Sequence, residues 1–167
     1  MKKILILSFL SLSTLLSFSQ DVHRTLGVGL QSSFPVFGIS AKYGITENHM
    51  VQATIAPFGA SYAGGSVKLN FYGARYIYRF PGNDENNPIL DPYLFAGGGL
   101  ATWKYNISGL SNSVESFISY SAGGGLELLL GKKFGLSAEL GYGKISVSSG
   151  VGVNTILYGG GLHYYIK

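Results

Sequence analysis

The 167-residue sequence has no cysteine, one tryptophan and five prolines, and only 12% of its residues are charged. Without cysteine there are no disulfide staples and no lipid-bearing lipoprotein site. Charge at about half the share of an ordinary soluble domain argues against a water-facing surface dressed with Lys, Glu and Asp. The net charge is +4, but part of it lies in Lys2 and Lys3. Beyond them the only adjacent basic pair is Lys132-Lys133, so no patch suits a nucleic acid. After Gln20 there is no amphipathic helical pattern and no apolar run of the length a helical membrane span needs.

The N-terminus reads as a secretion signal. Lys2 and Lys3 precede an apolar stretch from Ile4 to Leu16, and Ser17 and Ser19 suit the small-residue pockets of a signal peptidase. The apolar run is shorter than the roughly 20 residues of a helical span, which disfavours an uncleaved anchor. We therefore divide the chain into a signal peptide over 1–19 and a single domain over 20–167.

Within that domain the pattern has a period of two. Leu26, Val28 and Leu30 alternate with Gly27, Gly29 and Gln31; Phe37, Ile39, Ala41 and Tyr43 alternate with Gly38, Ser40 and Lys42. This alternation predicts strands, in eight segments: 23–34, 36–45, 49–58, 66–80, 91–106, 115–130, 134–148 and 154–166. The connections at 46–48, 81–88 and 131–133 carry turn or charged residues, whereas those near 59–65, 107–114 and 148–153 are Gly- and Ser-rich. Three strands share a glycine triplet, Gly97–Gly99, Gly123–Gly125 and Gly159–Gly161. No helix follows any of them, so they do not read as phosphate loops. They read as space-makers inside a narrow barrel.

The polar face of these strands is mostly Gly, Ser, Thr and Ala. That composition makes a poor solvated surface but fills a tight interior. The opposite face carries, for example, Phe134, Leu136, Ala138, Leu140 and Tyr142 without a charge. Leu128 and Leu140 are expected to face lipid. Aromatic residues gather near strand ends (Tyr72, Tyr76, Tyr78, Phe80, Trp103, Tyr105 and Tyr164), as in interfacial girdles. A closed antiparallel sheet satisfies every backbone group, as hydrocarbon requires. The expected fold class is all-β, a closed antiparallel eight-stranded transmembrane β-barrel.

On Tyr72–Tyr76, Pro92–Gly97, Ala122–Leu128 and the closing Gly161–Ile166, the chain resembles the small bacterial outer-membrane β-barrel superfamily, the OmpA-transmembrane, OmpX and OmpW kind. The resemblance implies the outer membrane of a Gram-negative bacterium, contact with membrane lipid and lipopolysaccharide, and insertion by the barrel-assembly machinery. A further protein partner is left unidentified. Such families commonly close on an aromatic residue, where this sequence has Lys167.

Parity places Glu127 with Ser121, Gly123 and Gly125, and Glu139 with Ser137 and Gly141, on inward faces. Two buried carboxylates need cations. Lys42 and Arg75 supply them on inward faces, with Arg79 nearer the rim. We expect an interior charge cluster of Lys42, Arg75, Arg79, Glu127 and Glu139, in preference to an acid/base pair. His23, His49 and His163 are expected as solvated turn and strand-end residues rather than a rim metal site. No catalytic residue, cofactor or metal is expected. The function expected is that of a non-enzymatic outer-membrane protein with a filled interior, serving envelope structure or loop-mediated interaction. The alternative, which the resemblance to the OmpW kind implies, is a narrow conduit or lateral-gate transporter for small hydrophobic molecules.

Overall fold

The computed structural model describes residues 26–33, 36–62, 65–80, 89–107, 113–131, 133–147 and 152–166. The expected signal peptide and His23 lie outside these residues. Eight strands form a closed barrel, each paired with its neighbour in sequence: β1 (Leu26–Ser33), β2 (Val36–Gly44), β3 (His49–Tyr62), β4 (Gly65–Arg79), β5 (Ile89–Ile107), β6 (Ser113–Leu130), β7 (Phe134–Val147) and β8 (Gly152–Ile166). All ladders are antiparallel, and β1 closes on β8 from Leu26 opposite Ile166 to Ser33 opposite Gly159. Every strand between neighbours thus has both edges engaged over its shared length, which is the arrangement hydrocarbon demands.

The two faces follow the period of two, but with the inverse of a soluble core. Inside are Gln31, Ser40, Lys42, Gln52, Asp91, Glu127, Ser137, Glu139 and His163; outside stand Phe37, Ile39, Leu94, Leu136, Leu140 and Ile156. A contiguous apolar surface of this extent would be untenable in water and is the natural surface of a barrel in lipid. Leu140 is 65% exposed on this face, and Leu128 lies on the same side, opposite Leu136.

Glycine makes the interior possible. A Cβ at Gly97 would lie 2.3 Å from Arg75 Cβ, and one at Gly125 would lie 2.5 Å from the Tyr93 ring. Gly97, Gly99, Gly123 and Gly125 thus leave room for Arg75, Phe71, Phe95 and Tyr93, whereas a Cβ at Gly159 would meet the Ser32 backbone. The β6–β7 hairpin turns at Gly131, whose φ of 58° lies in the left-handed region where L side chains are strained.

Two expectations change. β3 extends past Phe58 to Tyr62 and β4 starts at Gly65, so most of the segment read as a loop over 59–65 is paired strand. Gly59, Ala60 and Ser61 lie opposite Lys68, Val67 and Ser66; their backbone pairing outweighs their turn-like composition. Trp103, read as a girdle residue, shares a ladder rung with Leu69 and faces the interior. The expected girdle residues Tyr78, Phe80 and Tyr164 do face outward, Tyr78 on Phe80 with centroids 5.0 Å apart and Tyr164 on Phe134, 5.1 Å apart.

Candidate functional site

The lumen half nearest the chain termini is filled by three buried ion pairs. Lys42 on β2 reaches Glu127 on β6 at 2.7 Å. Arg75 on β4 meets Glu139 on β7 in a two-pronged contact, Nη2 to Oε1 at 2.6 Å and Nη1 to Oε2 at 2.8 Å. Arg79 lies 3.3 Å from Asp91 on the next strand and donates to the Glu47 carbonyl through Nε and Nη2, at 3.0 and 2.6 Å. β2 and β6 stand opposite one another in an eight-stranded ring, and β4 and β7 nearly so. The first two pairs therefore bridge the lumen rather than decorate its wall.

Neutral side chains complete the network. Tyr165 Oη donates to both oxygens of Glu127, at 2.9 Å each. Tyr93 Oη donates to Glu139 Oε1 at 2.5 Å, and Gln31 Nε2 and Ser33 Oγ donate to Oε2 at 3.0 and 3.4 Å. Arg75 Nε donates to Gln52 Oε1 at 2.7 Å. Gln52 Nε2 in turn donates to Ser40 Oγ, which lies 2.9 Å from His163 Nε2. The Arg75 guanidinium also stands 4.7 Å from the Phe95 ring centroid, a stacked cation–π arrangement. Met50, Ile77, Leu129 and the rings of Tyr93, Phe95 and Tyr165 form a buried apolar cluster in the same half, between the two bridging pairs and the Arg79–Asp91 pair nearer the rim.

The five residues singled out from the sequence are all inside, and the structure adds Asp91, Gln31, Gln52, Tyr93, His163 and Tyr165. Parity could have found Asp91, which shares its face with Tyr93 and Phe95. Glu127 and Glu139 do not share one cation; each has its own. With Arg75, Tyr93, Gln31 and Ser33 all donating to it, Glu139 has used the roughly four lone-pair sites of a carboxylate. Such a group is held in place by its donors and its charge is matched by the Arg75 guanidinium.

The histidine expectation is corrected. His163 is fully buried, and its Nδ1 has no hydrogen-bond partner among the described residues. His49 lies on the outer face, bonded through Nδ1 to the Tyr76 hydroxyl and edge-on to Tyr78. The two imidazoles stand on opposite sides of the wall and cannot share a metal, and no cluster of three or more His, Asp or Glu suited to a metal occurs among the described residues.

Neither a family model nor a curated protein matches the sequence. Solved structures do match. The N-terminal β-barrel domain of OprF from Pseudomonas aeruginosa is similar, with 19% identity and a TM-score of 0.59 over 84% of this chain and 95% of that one. Neisserial surface protein A (NspA) is similar too, with 21% identity and a TM-score of 0.58 over 84% of this chain and 93% of that one. At these identities the likeness is one of fold, the closed eight-stranded antiparallel barrel.

Proposed function

We propose that this chain is a non-enzymatic outer-membrane protein of a Gram-negative bacterium, closed to solutes by its buried ion pairs and serving envelope structure or interaction at its outer rim. The Arg75–Glu139 bridge carries this reading, because it crosses the lumen between β4 and β7 with every charged atom engaged. An eight-stranded interior is only wide enough for side chains to fill. With an even strand number both termini lie at one end, the periplasmic one in such barrels. The outer rim is made of strand ends rather than long loops, since two residues separate β1 from β2 and β3 from β4. Exposed Lys68 and Lys104 stand directly opposite one another on its lipid-facing side. Like charges in that relation repel, and a lipid phosphate such as that of lipopolysaccharide would relieve them.

Planar-bilayer recording tests the closed lumen. The wild-type protein is expected to show no stable channel, and Arg75→Ala to raise ion leakage by loosening the bridge. A large, stable single-channel conductance in the wild type would overturn the reading in favour of transport.

A further inference from the structure

Above the Arg75–Glu139 bridge the interior changes character. Inner-face positions there include Leu69, Phe71, Trp103, Phe117, Ile145 and Leu157, with Ser119 and Thr155 between them, around a cavity of about 310 Å³. That volume is at the small end of ligand pockets, ~300–1,000 Å³. Lumens that conduct water are polar; this one is apolar where it is empty and polar where it is plugged. Its floor is Gln31, Gln52 and Arg75, whose donors are directed at Glu139 and at one another. The cup is therefore a dead end whose charged floor is already engaged; a few hydroxyls such as those of Thr54 and Ser121 remain on its lining, and its mainly apolar wall suits a hydrocarbon guest.

The wall of the cup is low on one side. The β1–β2 hairpin ends at Ser33 and Val36, where Ser33 lies opposite Gly159 of β8. The β2–β3 ladder ends at Ile39 opposite Ile55. Beyond these points, among the described residues, β3 pairs with β4 alone and β8 with β7 alone, so a notch separates their upper edges. Pro57 lies on that β3 edge; lacking an N–H, it fits an edge and discourages further strand pairing. Phe58 shares an inner-face rung with Leu69 yet is 67% exposed, and Val153 shares one with Ile145 yet is 58% exposed. With Ile39, Ile55 and Ile156 on the outer wall, these residues carry an apolar surface from the lipid face over the notch to the cup. β1 has 8 residues, fewer than the roughly 9–11 a tilted strand needs to cross a bilayer. The notch thus opens at the hydrocarbon–headgroup boundary.

We infer that the cup binds one alkyl chain of a membrane lipid, drawn in sideways over the β1–β2 hairpin, with its headgroup left at the bilayer surface. The lipid source follows from the notch, which faces the bilayer. The inference needs the barrel to sit in a membrane but not to be closed to ions, so it stands or falls separately from the conductance result.

Trp103 lines the cup and is the sole tryptophan, which makes it a built-in reporter. The full-length mature protein is refolded in phospholipid nanodiscs doped with a phospholipid brominated on one acyl chain, and tryptophan quenching is followed with bromolipid fraction. Trp103 is expected to be quenched along a saturating curve. A reporter on the outer face, Leu100→Trp with Trp103→Phe, should follow random mixing. Filling the cup from either side, by Ser119→Phe or by Thr155→Phe, should abolish the saturating component. Non-denaturing mass spectrometry of the wild type should show one retained lipid. Trp103 quenching indistinguishable from the outer reporter, or a wild type that retains no lipid, would overturn the inference. So would saturable quenching by a water-added bromoalkanol and not by bromolipid, which would assign the cup to a solute from the outside medium.

Discussion

Lys42 and Glu127 show what a buried pair contributes at the level of single residues. The pair is 2.7 Å apart and nearly inaccessible to solvent, so removing Lys42 takes a close and poorly hydrated cation away from the Glu127 carboxylate. Lys42→Met is expected to lower unfolding stability, by up to roughly 3–5 kcal/mol for a fully buried pair, with Tyr165 Oη still donating to the carboxylate. Lys42→Met combined with Glu127→Leu should recover most of that loss, since an apolar pair of similar volume removes the buried carboxylate as well as its cation. Urea titrations in lipid vesicles compare the two; a double variant no better than the single would show that shape, not charge, sets the cost. The side-chain period of two makes the inner face legible at Lys42, Arg75, Glu127 and Glu139. Which cation meets which carboxylate is not legible, because the pairing depends on the stagger between strands three or four apart. His163 was open to the same parity reading through Gly161 and Tyr165, but its place near the strand end suggested solvent.

Among the strands, β7 is the clearest case of a two-faced element. Leu136, Ala138, Leu140 and Tyr142 point out, while Ser137, Glu139 and Gly141 point in. Leu140 lies mid-strand between Gly124 and Tyr158. Leu140→Arg should cost about 2–4 kcal/mol if its guanidinium sits near the bilayer midplane, whereas Ser116→Arg near the outer end of β6 should cost about 0–1. Refolding into vesicles reads the difference, and equal small effects would place Leu140 in water. Strand number and face were legible because alternation persists through each element. Strand length was not: Gly59, Ala60 and Ser61 have loop-like side chains, and only their ladder with β4 makes them strand. The inward turn of Trp103 was likewise hidden, since a tryptophan near a strand end fits a girdle by composition alone and parity had to decide.

For the molecule as a whole, closure is uneven. The β5–β6 ladder runs from Ile89 opposite Leu129 to Tyr105 opposite Ser113, whereas the β2–β3 ladder runs only from Ile39 opposite Ile55 to Gly44 opposite Met50. The short ladders on either side of β1 and β2 therefore form the least-secured arc of the ring. Native proteins open locally where fewest backbone bonds must break. Deuterium uptake by the folded barrel should accordingly begin in β1 and β2 and reach the middle of β5 and β6 last. Uniform uptake across all eight strands would mean that the ring opens only as a unit. The short hairpin thus has a temporal consequence: it sets which stretch of backbone first trades its protons with water, and where unravelling of the folded barrel begins.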